Sequence, residues 1–224
     1  MRRAAAGAAL GLAVAIGVPV TWQLTRDPAA AGAPVEQVLS ASTPSAPSEP
    51  PPTAPAVPGQ LPPVVARDAA PVTVAAVPAP ARLAVRALGV DVPLDPVGVA
   101  ADGRMELPAD VSRAGWYRFG PVPGAPGSAV VAGHVDDAEQ GLGALARLRE
   151  ADPGDEVLVT DAAGAATRWR VVARELVTKQ ELPLAALFAR GGAPRLVLVT
   201  CGGPFLPEYR SYRDNVVVVA EPAP

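Results

Sequence analysis

Two residues in this chain have no substitute of their own type: His134 is the only histidine and Cys201 the only cysteine. Each closes a short apolar run, His134 in "AVVAGHVDD" and Cys201 in "LVLVTCGGPF", where Gly202 and Gly203 follow at once. A free cysteine is most often a small hydrophobe in a core. A thiol at the end of a rigid strand, with bare backbone beside it, is also well placed to act as a nucleophile. An ordinary thiol is mostly protonated near neutral pH, and the thiolate is the reactive form. A neighbouring imidazole favours that form and can later hand a proton to a leaving amine. Acyl transfer also needs donors for the oxyanion, which the Gly202 backbone N–H and an arginine can supply. Arg210 and Arg213 follow in "EYRSYRDN". Asp136 and Asp137 could orient the imidazole, or simply form a solvated turn. Each residue alone reads more readily as structural; the matching placement of His134 and Cys201 favours function, though spacing does not establish contact.

Composition removes several competing functions. The formal net charge is −3 and no block of Lys or Arg stands out, so nucleic-acid binding has no electrostatic support. One cysteine forms no internal disulfide, and one Cys with one His falls short of the usual zinc ligand count. No dense acidic cluster argues for calcium. The residues imply no cofactor and no metal.

The chain divides into three zones. In "MRRAAAGAALGLAVAIGVPVTW", Arg2 and Arg3 precede an uncharged run from Ala4 to Leu24, about the length that spans a bilayer as a helix. Residues 1–26 are therefore expected to be a membrane anchor with a cytoplasmic N-terminus. The rival reading is a removed secretory signal with a cut near Ala29 to Ala31. Both export the rest of the chain. Residues 27–79 hold much of the chain's 28 prolines ("SAPSEPPPTAPAVPGQLPP"), a composition expected to stay unfolded and to favour polyproline II. At ~3.1 Å per residue such a spacer reaches up to roughly 160 Å.

Residues 80–224 are the expected folded domain. Strands are expected near "RLAVRAL", "VDVPLDPVGV", "GRMELP", "SAVVAGHV", "DEVLVTD", "TRWRVVAREL", "RLVLVTC" and "NVVVVAE". "DAAG" signals a hairpin with Gly164 at positive φ. Only "LGALARLRE" and "LPLAALFAR" look helical. Many short strands with little helix predict a mainly β barrel or sandwich.

Taken jointly, the "AGH" strand, the "TC" strand end and an arginine leading into "NVVVVA" resemble the sortase family. The forms "GHVD" and "TCGG…YRDN" are most similar to class F sortases of actinobacteria, and arginine-rich usage with Lys179 as the sole lysine suits a GC-rich genome. The resemblance spans most of residues 80–224. It implies an eight-stranded β-barrel and a membrane-held, extracellular cysteine transpeptidase. Such an enzyme cleaves a sorting signal of LPxTG type in exported proteins, between Thr and Gly. It passes the acyl group through a thioester to a cell-wall amine, such as that of a lipid II-like precursor. Carried over by position, Cys201 is the nucleophile, His134 the general acid/base and an arginine after Cys201 the oxyanion and substrate clamp. Gly202 is then the backbone oxyanion donor. Arg213 is preferred over Arg210, because strand residues alternate between faces and Arg213 has the matching parity counted from Ala220. That choice requires the last strand to begin early or carry a bulge.

Two alternatives stand beside this reading. A papain-like enzyme would place Cys before His, the reverse of the order here, and an L,D-transpeptidase-like enzyme would carry a "SHGC"-type segment, which is absent. A membrane-anchored, non-enzymatic surface-binding module would leave Cys201 as core, with an inert thiol.

Overall fold

The computed structural model describes residues 30–40 and 77–224. The candidate membrane segment and most of the Pro-rich stretch lie outside the described residues. Eight strands close into a barrel: β2 (Pro80–Val85), β3 (Val90–Val97), β4 (Ala114–Tyr117), β5 (Ser128–Gly133), β8 (Glu156–Asp161), β9 (Ala166–Thr178), β10 (Arg195–Leu206) and β11 (Ser211–Pro222). Their order is β9-β11-β10-β5-β4-β3-β2-β8, and pairing of β8 with the first part of β9 shuts the ring. A short strand β1 (Ala31–Gly32) joins the β9 edge and runs into helix α1 (Val35–Ser40). A two-strand ribbon, β6 (Asp136–Asp137) and β7 (Gly141–Leu142), and helix α2 (Leu184–Leu187) complete the named elements.

The unbroken apolar runs have a simple cause. In β11, Val216, Val218 and Ala220 fill the barrel interior with Leu83, Leu196 and Leu198. The alternate residues Val217 and Val219 lie on the outer face with Val130 and Val197, beneath α1 and α2. A strand buried on both faces loses the polar–apolar alternation that marks a half-exposed one. β10 and β5 share this property and pair in parallel, from Arg195–Ser128 to Val199–Ala132.

Five regions differ from the sequence expectation, one of them Ala114–Tyr117, which forms β4 where no strand was expected. "GRMELP" is not a strand; it contributes one isolated bridge, Val99 to Met105, and otherwise runs as a loop. "LGALARLRE" supplies only a 3₁₀ turn at Ala146–Glu150, and "LPLAALFAR" only the four residues of α2. Within the stretch expected as an unfolded spacer, residues 31–40 instead fold onto the barrel wall. Val35 and Leu39 are buried there, and the Val35 N–H donates to Glu175 Oε2 at 2.9 Å. The "DAAG" turn forms as its residues dictate, with Gly164 at φ +88° and its N–H donating to Asp161 O.

Candidate active site

The parallel register of β10 and β5 brings level the two strand ends that lead to the singular residues. Val199 stands beside Ala132, and the Thr200 hydroxyl donates to Gly133 O at 2.8 Å. One further step along each strand brings Cys201 level with His134. Alternation fixes the faces as well. Thr200 is buried, on the interior side with Leu196 and Leu198. Cys201 follows Val197 and Val199 on the outer face and lines an open groove of about 790 Å³. The walls of that groove include Val99 and Arg104 on the "GRMELP" side, and Leu184 and Phe188 on the α2 side.

His134 sits one residue past β5, partly buried, with its Nε2 3.2 Å from Pro108 O. A carbonyl only accepts, so Nε2 carries the hydrogen in this contact and Nδ1 is the nitrogen left to exchange a proton. The loop that follows is closed by backbone bonds: Leu145 N–H donates to His134 O, and Gly143 N–H to Val135 O. A Cβ on Gly143 would overlap the carbonyl of His134. Gly143 thus fixes the histidine's backbone, a role that nothing in "EQGLGALAR" announces.

Neither aspartate after His134 bonds the imidazole. Asp137 accepts the N–H groups of Glu139 and Gln140, which lower its pKa and cap the turn. Asp136 accepts the Tyr212 hydroxyl, tying the His134 loop to the start of β11.

β11 begins at Ser211, so Arg213 lies within the strand, two residues before Asn215, the partner of Cys201. The bulge falls on the opposite strand: Gly202 pairs with Asp214 but Phe205 with Tyr212, leaving one extra residue in β10. By alternation Arg213 belongs to the Cys201 face. Its guanidinium, however, folds back on Asp214, with Nε and the second amino nitrogen at 2.7 and 2.8 Å from the two carboxylate oxygens. The Asp214 side chain is 2% exposed and that of Arg213 52%. A carboxylate this buried needs a charged partner. Gly203, at φ +70°, makes the room, because a Cβ there would overlap Asp214 Oδ2. Arg210 caps the 3₁₀ turn Pro207–Tyr209 at φ +46°, exposed at the tip of the connection. A side chain at Gly202 would press on Val216 and Leu176, so packing alone selects glycine there. Neither Arg213 nor His134 is among the residues lining the groove; its cations are Arg104, paired with Asp102, and Lys179, whose Nζ donates to Ser211 Oγ at 2.7 Å.

The hydrogen bond to Asp136 raises the Tyr212 pKa from 10.0 to about 12, with burial adding to the effect. The folded-state value lies above the unfolded one, so the stabilisation is complete below pH 10 and is lost as pH rises through about 12. In an ultraviolet tyrosinate titration, one of the three tyrosines should ionise late. Tyr212→Phe should delete that late step. A late step that survives the substitution would contradict the assignment.

Comparison with known proteins bears on the family and the fold. The family model described as the sortase domain matches residues 83–223. Among solved structures, sortase A from Corynebacterium diphtheriae is similar at TM-score 0.50 and 18% identity, over 66% of this chain and 61% of that one. Its lid mutant is similar at TM-score 0.51 and 17% identity, over 66% and 71%. Sortase A of Listeria monocytogenes scores 0.49 at 19% identity, over 64% and 86%. No curated protein matches. The chain thus spans less than two thirds of the first of these structures, and identities this low speak for the fold alone. The family model covers well over half of the sequence, and with it the barrel, both strand ends and the arginine strand: the chain belongs to the sortase family.

Proposed function

We propose that this protein is a cysteine transpeptidase of class F type, acting on LPxTG-like sorting signals of exported proteins. One observation carries the reading: Cys201 lines an open groove on the outer sheet face, at the end of a strand paired in parallel with the strand that leads into His134. The class F assignment rests on the forms "GHVD" and "TCGG…YRDN".

The reaction follows from the chemistry of these groups. The Cys201 thiolate attacks the carbonyl carbon of the signal's threonine, and the carbonyl oxygen takes up negative charge. The imidazole of His134 gives a proton to the departing glycine nitrogen, the C–N bond breaks and a thioester remains. A cell-wall amine, of lipid II-like chemistry, then attacks the thioester. His134 accepts the amine's proton, the C–S bond breaks and the thiolate returns. Arg213 is the donor for the developing oxyanion, with the Gly202 backbone beside it. The Asp214 carboxylate fixes the guanidinium's plane in the resting enzyme, which makes Asp214 a positioning residue. No metal or cofactor enters these steps. Residues 4–24 hold the chain in the membrane with the barrel outside, and N-terminal sequencing of the mature protein separates that anchor from a removed signal.

The direct test is cleavage of a fluorogenic Leu-Pro-x-Thr-Gly peptide, with mass spectrometry of the acyl-enzyme. Cys201→Ala should form no thioester while remaining folded. His134→Ala should lose at least ~100-fold in kcat/KM, within the range of general acid–base catalysis. Retained cleavage by Cys201→Ala would exclude the cysteine mechanism.

Gly143→Ala probes the support of His134 without touching the reacting groups. The added methyl must displace the His134 carbonyl, so kcat should fall by ~10-fold or more, since sub-ångström misplacement of a catalytic group is costly. Unchanged kcat would show that the loop absorbs the methyl elsewhere.

Arg213→Ala should cost about 100- to 1,000-fold in kcat, the usual worth of an oxyanion donor. Arg213→Lys should rescue poorly, because an ammonium lacks the planar fork, yet it still offers Asp214 a positive charge. Comparing these two variants separates lost catalysis from the cost of an unpaired buried carboxylate. Arg210→Ala should remain near wild type. If Arg210→Ala is instead the crippled variant, the assignment to Arg213 is wrong.

A further inference from the structure

The wall of the groove opposite Arg104 depends on a helix too short to stand alone. α2 is four residues long, and an isolated turn of that length does not persist in water. Leu184, Leu187 and Phe188, the residue just past the helix, all line the groove, and Leu187 is buried between the groove and the cluster beneath it. On one side the following chain is tied to β5, where Ser128 N–H donates to Ala189 O at 2.8 Å. Tyr117, also in the groove, meets the Phe188 ring edge-on at 5.1 Å. Behind the helix, Leu187 shares an apolar cluster with Val35 and Leu39 of α1.

The segment carrying those two residues is fastened at three points. Ala31 and Gly32 pair with Arg174 and Ala173 of β9. Gly32 takes φ +86° against the Val172 carbonyl, where a Cβ would overlap. The Val35 N–H donates to Glu175 Oε2. At the other end, the buried guanidinium of Arg195 donates to Leu39 O at 3.1 Å, so a cation meets the helix C-terminus. Such fastening exceeds what a passing linker needs. It bears on the catalytic face because its apolar side touches α2.

We propose that residues 31–40 form a clip that sets the position of α2 and so the substrate-binding wall of the groove, with Leu39 and Val35 as its positioning residues. The effect on substrate rests on the transpeptidase reading; the effect on α2 does not. With the clip seated, Leu187 has a packed floor, and Leu184 and Phe188 are held at the groove. Without it, the Leu187 side of α2 faces water and the wall loosens, while the Cys201 and His134 strand ends stay paired. Binding suffers and chemistry does not.

The test uses the full chain with Leu39→Asp, which puts a charge into the cluster. Leu39→Met is the conservative rescue, and Val157→Ala is a control that weakens the barrel core away from the clip. Hydrogen–deuterium exchange of the amides of residues 184–189 should quicken by on the order of tenfold or more in Leu39→Asp, and stay near wild type in the other two. In peptide cleavage, Leu39→Asp should raise KM by roughly five- to tenfold with kcat within about twofold, the signature of lost substrate binding. Unaltered exchange at 184–189 overturns the proposal whatever the peptide assay gives. Faster exchange with KM no higher than in Val157→Ala overturns it too, because the wall then moves without consequence. If the wild type cleaves no peptide, the substrate reading fails, and the exchange result alone decides whether the clip holds α2.

Discussion

The parallel pairing of β5 with β10 is the constraint on which the site depends. Five residue pairs in register, from Arg195–Ser128 to Val199–Ala132, set the two strand ends level. A slip of one residue would turn Cys201 and His134 to opposite faces, since side chains alternate along a strand. The register is itself held by burial on both faces: Leu196 and Leu198 inside the barrel, Val197 outside. The Thr200 hydroxyl on Gly133 O pins the last step before the cysteine. Two strand ends separated by 67 positions in the chain are thus set level by the sheet itself.

Around this pair the supporting groups come in two kinds. Some relieve crowding: Gly143 lets the His134 carbonyl keep its place, and Gly203 lets the Asp214 carboxylate occupy the bulge. Others tie loops across the site, as Tyr212 does by bonding Asp136 and Asp214 by gripping Arg213. The arginine is the least free of the three singled-out residues. Its bidentate partner holds it ready as a planar fork, and the same grip must yield or tilt for the guanidinium to meet an oxyanion. Burial of Asp214 beside an exposed guanidinium makes the pair asymmetric: the carboxylate is enclosed and the guanidinium faces solvent.

The parts of the fold legible in the sequence were those that bury both faces. "RLVLVTC", "SAVVAGHV" and "NVVVVAE" read as strands because no polar residue interrupts them, and all three occur where expected. The barrel followed from many such runs with little helix. "GRMELP" misled because its alternation mimics a strand, while its backbone forms only the Val99–Met105 bridge and then serves as a groove wall. Residues 31–40 were hidden by their Pro-rich neighbours; only Val35, Val38 and Leu39 carry apolar bulk, too few for a helical pattern to show. Asp214 and Gly143 were invisible for a different reason. Their roles depend on contacts with residues brought near by the fold, and neither residue type nor spacing encodes such contacts locally.

Cys201 and His134 are proposed to work as a pair in acyl transfer. The most direct measurement is the rate at which iodoacetamide alkylates Cys201 near neutral pH, in wild type and in His134→Ala, with folding checked by circular dichroism. If the imidazole takes the thiol's proton as the sulfur attacks, the wild-type rate should exceed that of the variant by ~10-fold or more. Equal rates in two folded proteins would mean that the strand ends lie level without the side chains communicating, and would contradict that pairing.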